Sequence, residues 1–244
     1  MEDSNSMWNC ARTSDIMHRV KTAKDLRIPY TWSERYPVFL ENFFYIPGHY
    51  HQHEGNIPWS DPRIFGNDLP VVVEYCSGNG QWIGARALEN PNKNWVAVEK
   101  CFDRARKIWL KLHREKIPNL YVVCGDASTF TKYYPMTHTV SEIYVNFPDP
   151  WPKRRHALNR LVRAPFLQEL ERVVSLNGKA TFATDDFDYA QFMLKELALV
   201  PNWKPRAPHP FYSTNWEGYG PSFFSDLWKQ KGRTIYYLPF ENCP

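Results

Sequence analysis

Leu69-Pro70-Val71-Val72-Val73-Glu74-Tyr75-Cys76-Ser77-Gly78-Asn79-Gly80 is the stretch that decides the fold of this 244-residue chain. An apolar, β-branched run that ends at paired glycines reads as a buried strand, here Leu69 to Cys76. A helical pattern follows the glycines at once, so the turn joins a strand to a helix. Glycines at such a turn take positive φ and let the backbone approach a ligand closely.

Outward from this unit the chain alternates. Trp95 to Val98, Leu120 to Cys124, Glu142 to Phe147 and Lys179 to Thr184 read as four further buried strands. Ala105, Ile108, Trp109 and Leu112 share one helical face, with Asp103 near its start. Phe166, Leu170, Val173 and Val174 form a second, with Pro165 in the first turn and Asn177-Gly178 as the stop. Phe187, Ala190, Leu194 and Leu197 form a third, behind Asp185 and Asp186 as capping candidates. This alternation predicts βαβ units and hence an α/β fold: a mostly parallel central sheet with helices on both faces. The tail predicts a short helix over Pro221 to Gln230 and a strand over Thr234 to Leu238, pairing antiparallel at a sheet edge. Residues 1–66, rich in aromatics, Pro and His and without a clean period, are expected to be an extension, partly packed on the core and partly mobile. Residues 67–244 are then one α/β domain.

Composition sets the compartment and excludes some chemistry. Thirty Lys and Arg against 26 Asp and Glu leave a net charge of only +4, which does not by itself announce a nucleic-acid partner. The distribution is more telling. From Pro150 to Gln168, Lys153, Arg154, Arg155, Arg160 and Arg163 occur with no acidic residue, and Arg12 to Arg27 is a second basic stretch. The five cysteines contain no Cys-x-x-Cys pair, which argues against a disulfide framework and against a zinc site, so no metal is expected. No apolar run approaches membrane-spanning length, and the first residues lack the apolar block of a signal peptide. A soluble, reducing, cytoplasmic setting is the expectation.

Ligands of parallel α/β sheets bind at the carboxyl ends of the strands. Three acids stand there in succession: Glu74 beside the Gly78 and Gly80 loop, Glu99 about twenty residues on, and Asp126 in Gly125-Asp126-Ala127. A carboxylate at Glu99 suits the two hydroxyls of a ribose, and one at Asp126 an exocyclic adenine amine. A dinucleotide would need Gly-x-Gly-x-x-Gly, but the third glycine, Gly84, comes one position late. Glu74 would also repel a pyrophosphate. A nucleoside bearing cationic groups, such as S-adenosylmethionine, matches the sign.

The fourth strand runs into Asn146-Phe147-Pro148-Asp149-Pro150-Trp151-Pro152-Lys153-Arg154-Arg155-His156. Prolines on both sides hold the Asp149 carboxylate in a restricted backbone. Lys153, Arg154 and Arg155 can meet phosphates, and Trp151 can stack on a base. Taken alone the stretch also suits a surface turn; its place at the same sheet edge as the other acids favours catalysis.

These residues resemble the tRNA (guanine-N7)-methyltransferases, a family of class I, S-adenosylmethionine-dependent enzymes with a Rossmann-like fold. The likeness covers most of Leu69 to Phe240. Its most specific piece is Phe147-Pro148-Asp149-Pro150-Trp151 with Lys153; Thr184-Asp185, Thr214-Asn215-Trp216-Glu217 and the closing Lys231 to Tyr236 are similar to further family motifs. The resemblance implies cofactor contacts at Glu74, Gly78, Gly80, Glu99, Asp126 and Asp149, catalysis at Asp149, and substrate contacts at Lys153, Asp185, Thr214, Asn215, Trp216 and Glu217. It implies tRNA as the partner of a monomer or homodimer. One departure stands out. Cys76 occupies the place of the family's first loop glycine, so that a positive φ there would be strained. Two alternatives stay open: a class I methyltransferase acting on another RNA base or small molecule, and an RNA-binding homologue with impaired catalysis.

Overall fold

The computed structural model describes residues 36–48, 50–53, 55–217, 219–220 and 231–243, without the Arg154 side chain. The basic stretch Arg12 to Arg27 and the predicted helix over Pro221 to Gln230 lie outside these residues. In chain order the strands are β1 (Val38–Leu40), β2 (Phe43–Tyr45), β3 (Val71–Tyr75), β4 (Asn94–Glu99), β5 (Leu120–Cys124), β6 (Val140–Asn146), β7 (Val174–Thr184), β8 (Trp203–Pro205) and β9 (Tyr236–Asn242). The helices are α1 (Gln81–Glu89), α2 (Phe102–Glu115), α3 (Ala127–Tyr133), α4 (Ala164–Val173) and α5 (Phe187–Leu197), with a 3-10 turn over Arg154–Asn159.

Among the described residues all nine strands join one sheet in the order β1, β2, β5, β4, β3, β6, β7, β9, β8. β2, β5, β4, β3, β6 and β7 run parallel, so β3 to β7 all end on one edge. The connections proceed outward from β3 in one direction through β4 and β5, and in the other through β6 and β7. The order therefore switches between β3 and β6, where such sheets open a ligand crevice. Side-chain alternation along each strand feeds two cores. Val73, Tyr75, Val96, Ile143 and Val145 pack with Phe130, Leu167, Leu170 and Met193 of α3, α4 and α5. Val72, Trp95, Ala97 and Val122 pack with Ile83, Ala105, Ile108 and Leu112 of α1 and α2. Gly80 caps α1 at φ 69°, and a Cβ there would come within 2.8 Å of Ile108 on α2. That position needs glycine for its backbone and for the packing of the two helices.

Several expectations are corrected. No strand is predictable before Leu69, yet β1 and β2 extend the sheet beyond β5. Ile57 and Ile64 are also buried in the core. Three-residue strands are too short to display a period. Asn177-Gly178 does not stop α4; the helix ends at Val173 and β7 begins at Val174. The register between β6 and β7 then slips between Val140 and Glu142, and the two residues sit in the resulting bulge. Asn177 takes φ 61°, and a Cβ on Gly178 would meet the Ser175 and Ser141 carbonyls at 2.8 and 3.0 Å. On α5 the buried residues are Tyr189, Ala190, Met193 and Leu197, whereas Phe187 is exposed. The C-terminal strand does pair antiparallel, with β7, but β8 lies outside it and forms the edge. No helix among the described residues is long and apolar enough to cross a membrane.

Candidate active site

The carboxyl edge of the sheet gathers Glu74, Glu99, Asp126, Asp149 and Asp185, because each lies at or just past the end of a parallel strand. Four of them act on one side chain. The Cys76 thiol is pushed up by burial and then by the charges of Glu99, Asp149, Glu74 and Asp126. Cys76 itself stands at φ 62°, as the family's glycine at this place would suggest. A non-glycine residue in this conformation is strained by about 1–2 kcal/mol.

Glu74 is buried at the end of β3. Its Oε1 accepts a hydrogen bond from Asn146 Nδ2 at 2.7 Å, and its Oε2 is buried without a partner among the described residues. Burial pushes this carboxyl up to about 7, against the pull of the Asn146 amide and with the help of the Glu99 charge. Glu99 is clamped by the backbone: Gly78 N–H donates to Oε2 and Cys101 N–H to Oε1, both at 2.8 Å. These bonds tie the end of β4 to the glycine loop. Burial raises the Glu99 carboxyl as well, with both amides opposing. Asp126 caps α3, its Oδ1 accepting from Thr129 N–H at 3.1 Å, while Oδ2 lies 3.4 Å from Lys100 Nζ. Half of that carboxylate is therefore already committed to the helix.

Asp149 is exposed on a turn whose ends are strained, with Phe147 at φ 48° and Trp151 at φ 43°. Phe147 N–H donates to the Ala183 carbonyl at 2.8 Å, and Arg160 Nε–H donates to the Pro150 carbonyl at 2.8 Å. The Arg160 guanidinium lies over the rings of Tyr189 and Phe192, 5.2 and 4.5 Å from their centroids. Lys153 and Arg155 are exposed beside this turn. Trp151 meets His156 edge-on, with ring centroids 5.7 Å apart.

Asp185 accepts from Arg233 Nη1 at 2.5 Å, so this predicted substrate contact is ion-paired within the chain. Asp186, its neighbour, caps α5 through Tyr189 N–H at 2.8 Å. The segment Thr214 to Glu217 is brought to the same edge by a two-way bridge between Ser213 and Tyr237, 2.8 Å in both directions. Thr214, Asn215 and Glu217 are exposed there; Trp216 is half-buried with the Arg206 guanidinium 5.5 Å from its ring centroid. Asn146, Arg160, Tyr219 and Arg233 were not singled out as site residues. Asn146, which lies just before the Asp149 turn, Arg160 in the basic run after it and Arg233 in the closing motif each had a signal, whereas Tyr219 comes from a distant segment with no local pattern.

A parallel sheet that switches order between β3 and β6, carries acids at successive strand ends and closes with an antiparallel β9 defines a class I methyltransferase fold. The crystal structure of the 16S rRNA methyltransferase KamB shares it, with a TM-score of 0.55 at 17% identity over 74% of this chain and 91% of that one. TrmN from Thermus thermophilus gives 0.52 at 14% identity over 71% of this chain and 44% of that one. Residues 68–238 match a family described as putative methyltransferase. Over 218 residues the chain is 44% identical to the tRNA (guanine-N(7)-)-methyltransferase of Chlamydia felis, covering 89% of this chain and 96% of that protein. The enzyme of the same name from Bacillus cytotoxicus is 30% identical over 79% of this chain and 86% of its own. The chain belongs to the tRNA (guanine-N(7)-)-methyltransferase family.

Proposed function

We propose that this protein transfers a methyl group from S-adenosylmethionine to N7 of a guanine in the tRNA variable loop. The observation that carries this reading is the succession of Glu74, Glu99, Asp126 and Asp149 at or just past the ends of the adjacent parallel strands β3, β4, β5 and β6, on one edge of the sheet. The names of the relatives support the same substrate.

The residues fit the cofactor. Glu74 Oε2, a buried acceptor without a partner among the described residues, is suited to a cationic amino acid end. Glu99, fixed by two backbone amides, suits ribose hydroxyls, and Asp126, held at Oδ1 by the helix and facing Lys100 at Oδ2, suits an adenine amine through the exposed Oδ2 side. The cofactor supplies an electrophilic methyl group on a sulfonium. That methyl group would pass to the N7 lone pair as its bonding pair returned to sulfur, leaving the positive charge on the purine. N7 of neutral guanine carries no proton, so Asp149 has no base to be. Its carboxylate stabilises the growing positive charge of the ring and accepts hydrogen bonds from guanine N1–H and N2–H, which selects guanine over adenine. The rigid turn around it contributes alignment. Lys153 and Arg155 grip the phosphate backbone; Asp185 and Thr214 to Glu217 complete the substrate side, with the Arg233 pair holding Asp185 in place. Residues 67–244 carry the catalysis, and the enzyme works in the cytoplasm as a monomer or homodimer.

Label transfer from methyl-tritiated S-adenosylmethionine tests this. An unmodified tRNA transcript should become labelled, whereas one made with 7-deazaguanosine, which has carbon at position 7, should not. Equal labelling of both would overturn the N7 assignment.

A further inference from the structure

Three buried side chains link parts of the site that are far apart in the chain. Asn146 donates from Nδ2 to Glu74 Oε1 at 2.7 Å and accepts at Oδ1 from the Tyr219 hydroxyl at 2.8 Å. The hydroxyl proton goes to the amide carbonyl, and this fixes which end of the amide faces Glu74. Without it the amide is free to turn its carbonyl lone pairs toward the carboxylate. Tyr219 is itself held in place: Trp82 Nε1–H donates to its carbonyl at 2.7 Å, and its ring lies 5.3 Å from Trp82 and 4.7 Å from Tyr237, centroid to centroid. Glu74 ends β3, Asn146 is the last residue before the Asp149 turn, and Tyr219 follows Thr214 to Glu217 by two residues.

We propose that Asn146 and Tyr219 are positioning residues that keep the Glu74 carboxylate ionised and turned toward the cofactor, so that the segment presenting Thr214 to Glu217 also sets the cofactor end of the site. Such a role presupposes the cofactor assigned above. Glu74 lies in register between Ala97 on β4 and Tyr144 on β6. The titratable groups around it are Glu99, the Cys76 thiol and Tyr144, with Asp126 and Asp149 completing the acidic ring about Cys76 and Arg104 offsetting Glu99. With a carboxyl that titrates near neutrality, protonation competes with binding of a cation. The Asn146 donor opposes that protonation.

Calorimetric titration with S-adenosylmethionine from about pH 6 to about pH 9 reads this out. The affinity of the unaltered chain should rise through about pH 7 as Glu74 ionises and fall again as the ammonium of the ligand deprotonates at about pH 8. Tyr219→Phe keeps the ring and removes only the hydroxyl. Its midpoint should move up by about one pH unit, giving roughly tenfold weaker binding below the midpoint and equal binding at the alkaline end. The ammonium of the ligand titrates identically against both proteins, so the difference belongs to the chain. Asn146→Ala, which removes the direct donor, should shift the profile the same way and serves if Tyr219→Phe folds poorly. A loss by the same factor at every pH would mark the pair as packing residues and overturn the proposal, as would unshifted midpoints in both variants; either result leaves the cofactor assignment standing. No binding by the unaltered chain at any pH would remove that assignment and the proposal with it.

Discussion

Cys76, within electrostatic reach of four carboxylates, adopts φ 62°, a conformation that glycine takes without strain. Relief of about 1–2 kcal/mol of backbone strain exceeds the roughly 0.5–1 kcal/mol of added unfolded-state freedom that glycine brings. Cys76→Gly should therefore stabilise the fold slightly, by about 0.5–1 kcal/mol in urea denaturation, and tighten cofactor binding. Cys76→Val, with a branched side chain forced into the same region, should do the opposite. Asp149 makes the complementary case. Because its side chain is exposed, Asp149→Ala should leave the melting temperature unchanged while lowering the single-turnover rate by about 10²–10³-fold. A wild-type rate in that variant would contradict the role assigned to Asp149. Asp149→Asn separates its two functions: guanine selectivity retained at a reduced rate would mark charge stabilisation as the larger contribution.

At the scale of elements, the turn carrying Asp149 is anchored rather than loose. Arg160 binds the Pro150 carbonyl and lies over two rings of α5, so it ties the turn to the helix that Asp186 caps. Arg160→Gln should lower kcat by about tenfold with the cofactor Kd unchanged. Arg160→Lys should restore little, because an ammonium lacks the planar face that covers both rings. Steady-state kinetics with separate cofactor titrations would show a changed Kd if the turn were not the target. The strands that position this machinery, β3 to β7, were legible because each is a buried apolar run between turn signals. β1, β2 and β8 were not, since three residues carry no period and their pairing depends on partners far along the chain. Asn177-Gly178 was misread as a helix stop because the same residue pair serves a strand bulge equally well. The acids at strand ends were readable from spacing, whereas Tyr219 acts from a segment whose place is set only by the folded sheet.

Across the whole molecule, a net charge of +4 conceals a local basic surface, and the sheet order places that surface beside the acidic cofactor crevice. Lys153 and Arg155 are exposed next to the Asp149 turn, where they can reach a phosphate backbone. Lys153→Ala should weaken tRNA binding and reduce the slope of log affinity against log salt by about one, with cofactor affinity unaltered. An unchanged slope in filter-binding titrations would place that side chain off the tRNA path. In the proposed reaction the crevice and this surface act together: one guanine of tRNA is brought to Asp149 and methylated at N7. Incubation of unmodified tRNA with S-adenosylmethionine and the enzyme, followed by borohydride reduction and aniline scission, tests it most directly. The account predicts a single new cleavage, at a guanine of the variable loop; cleavage at no guanine would contradict it.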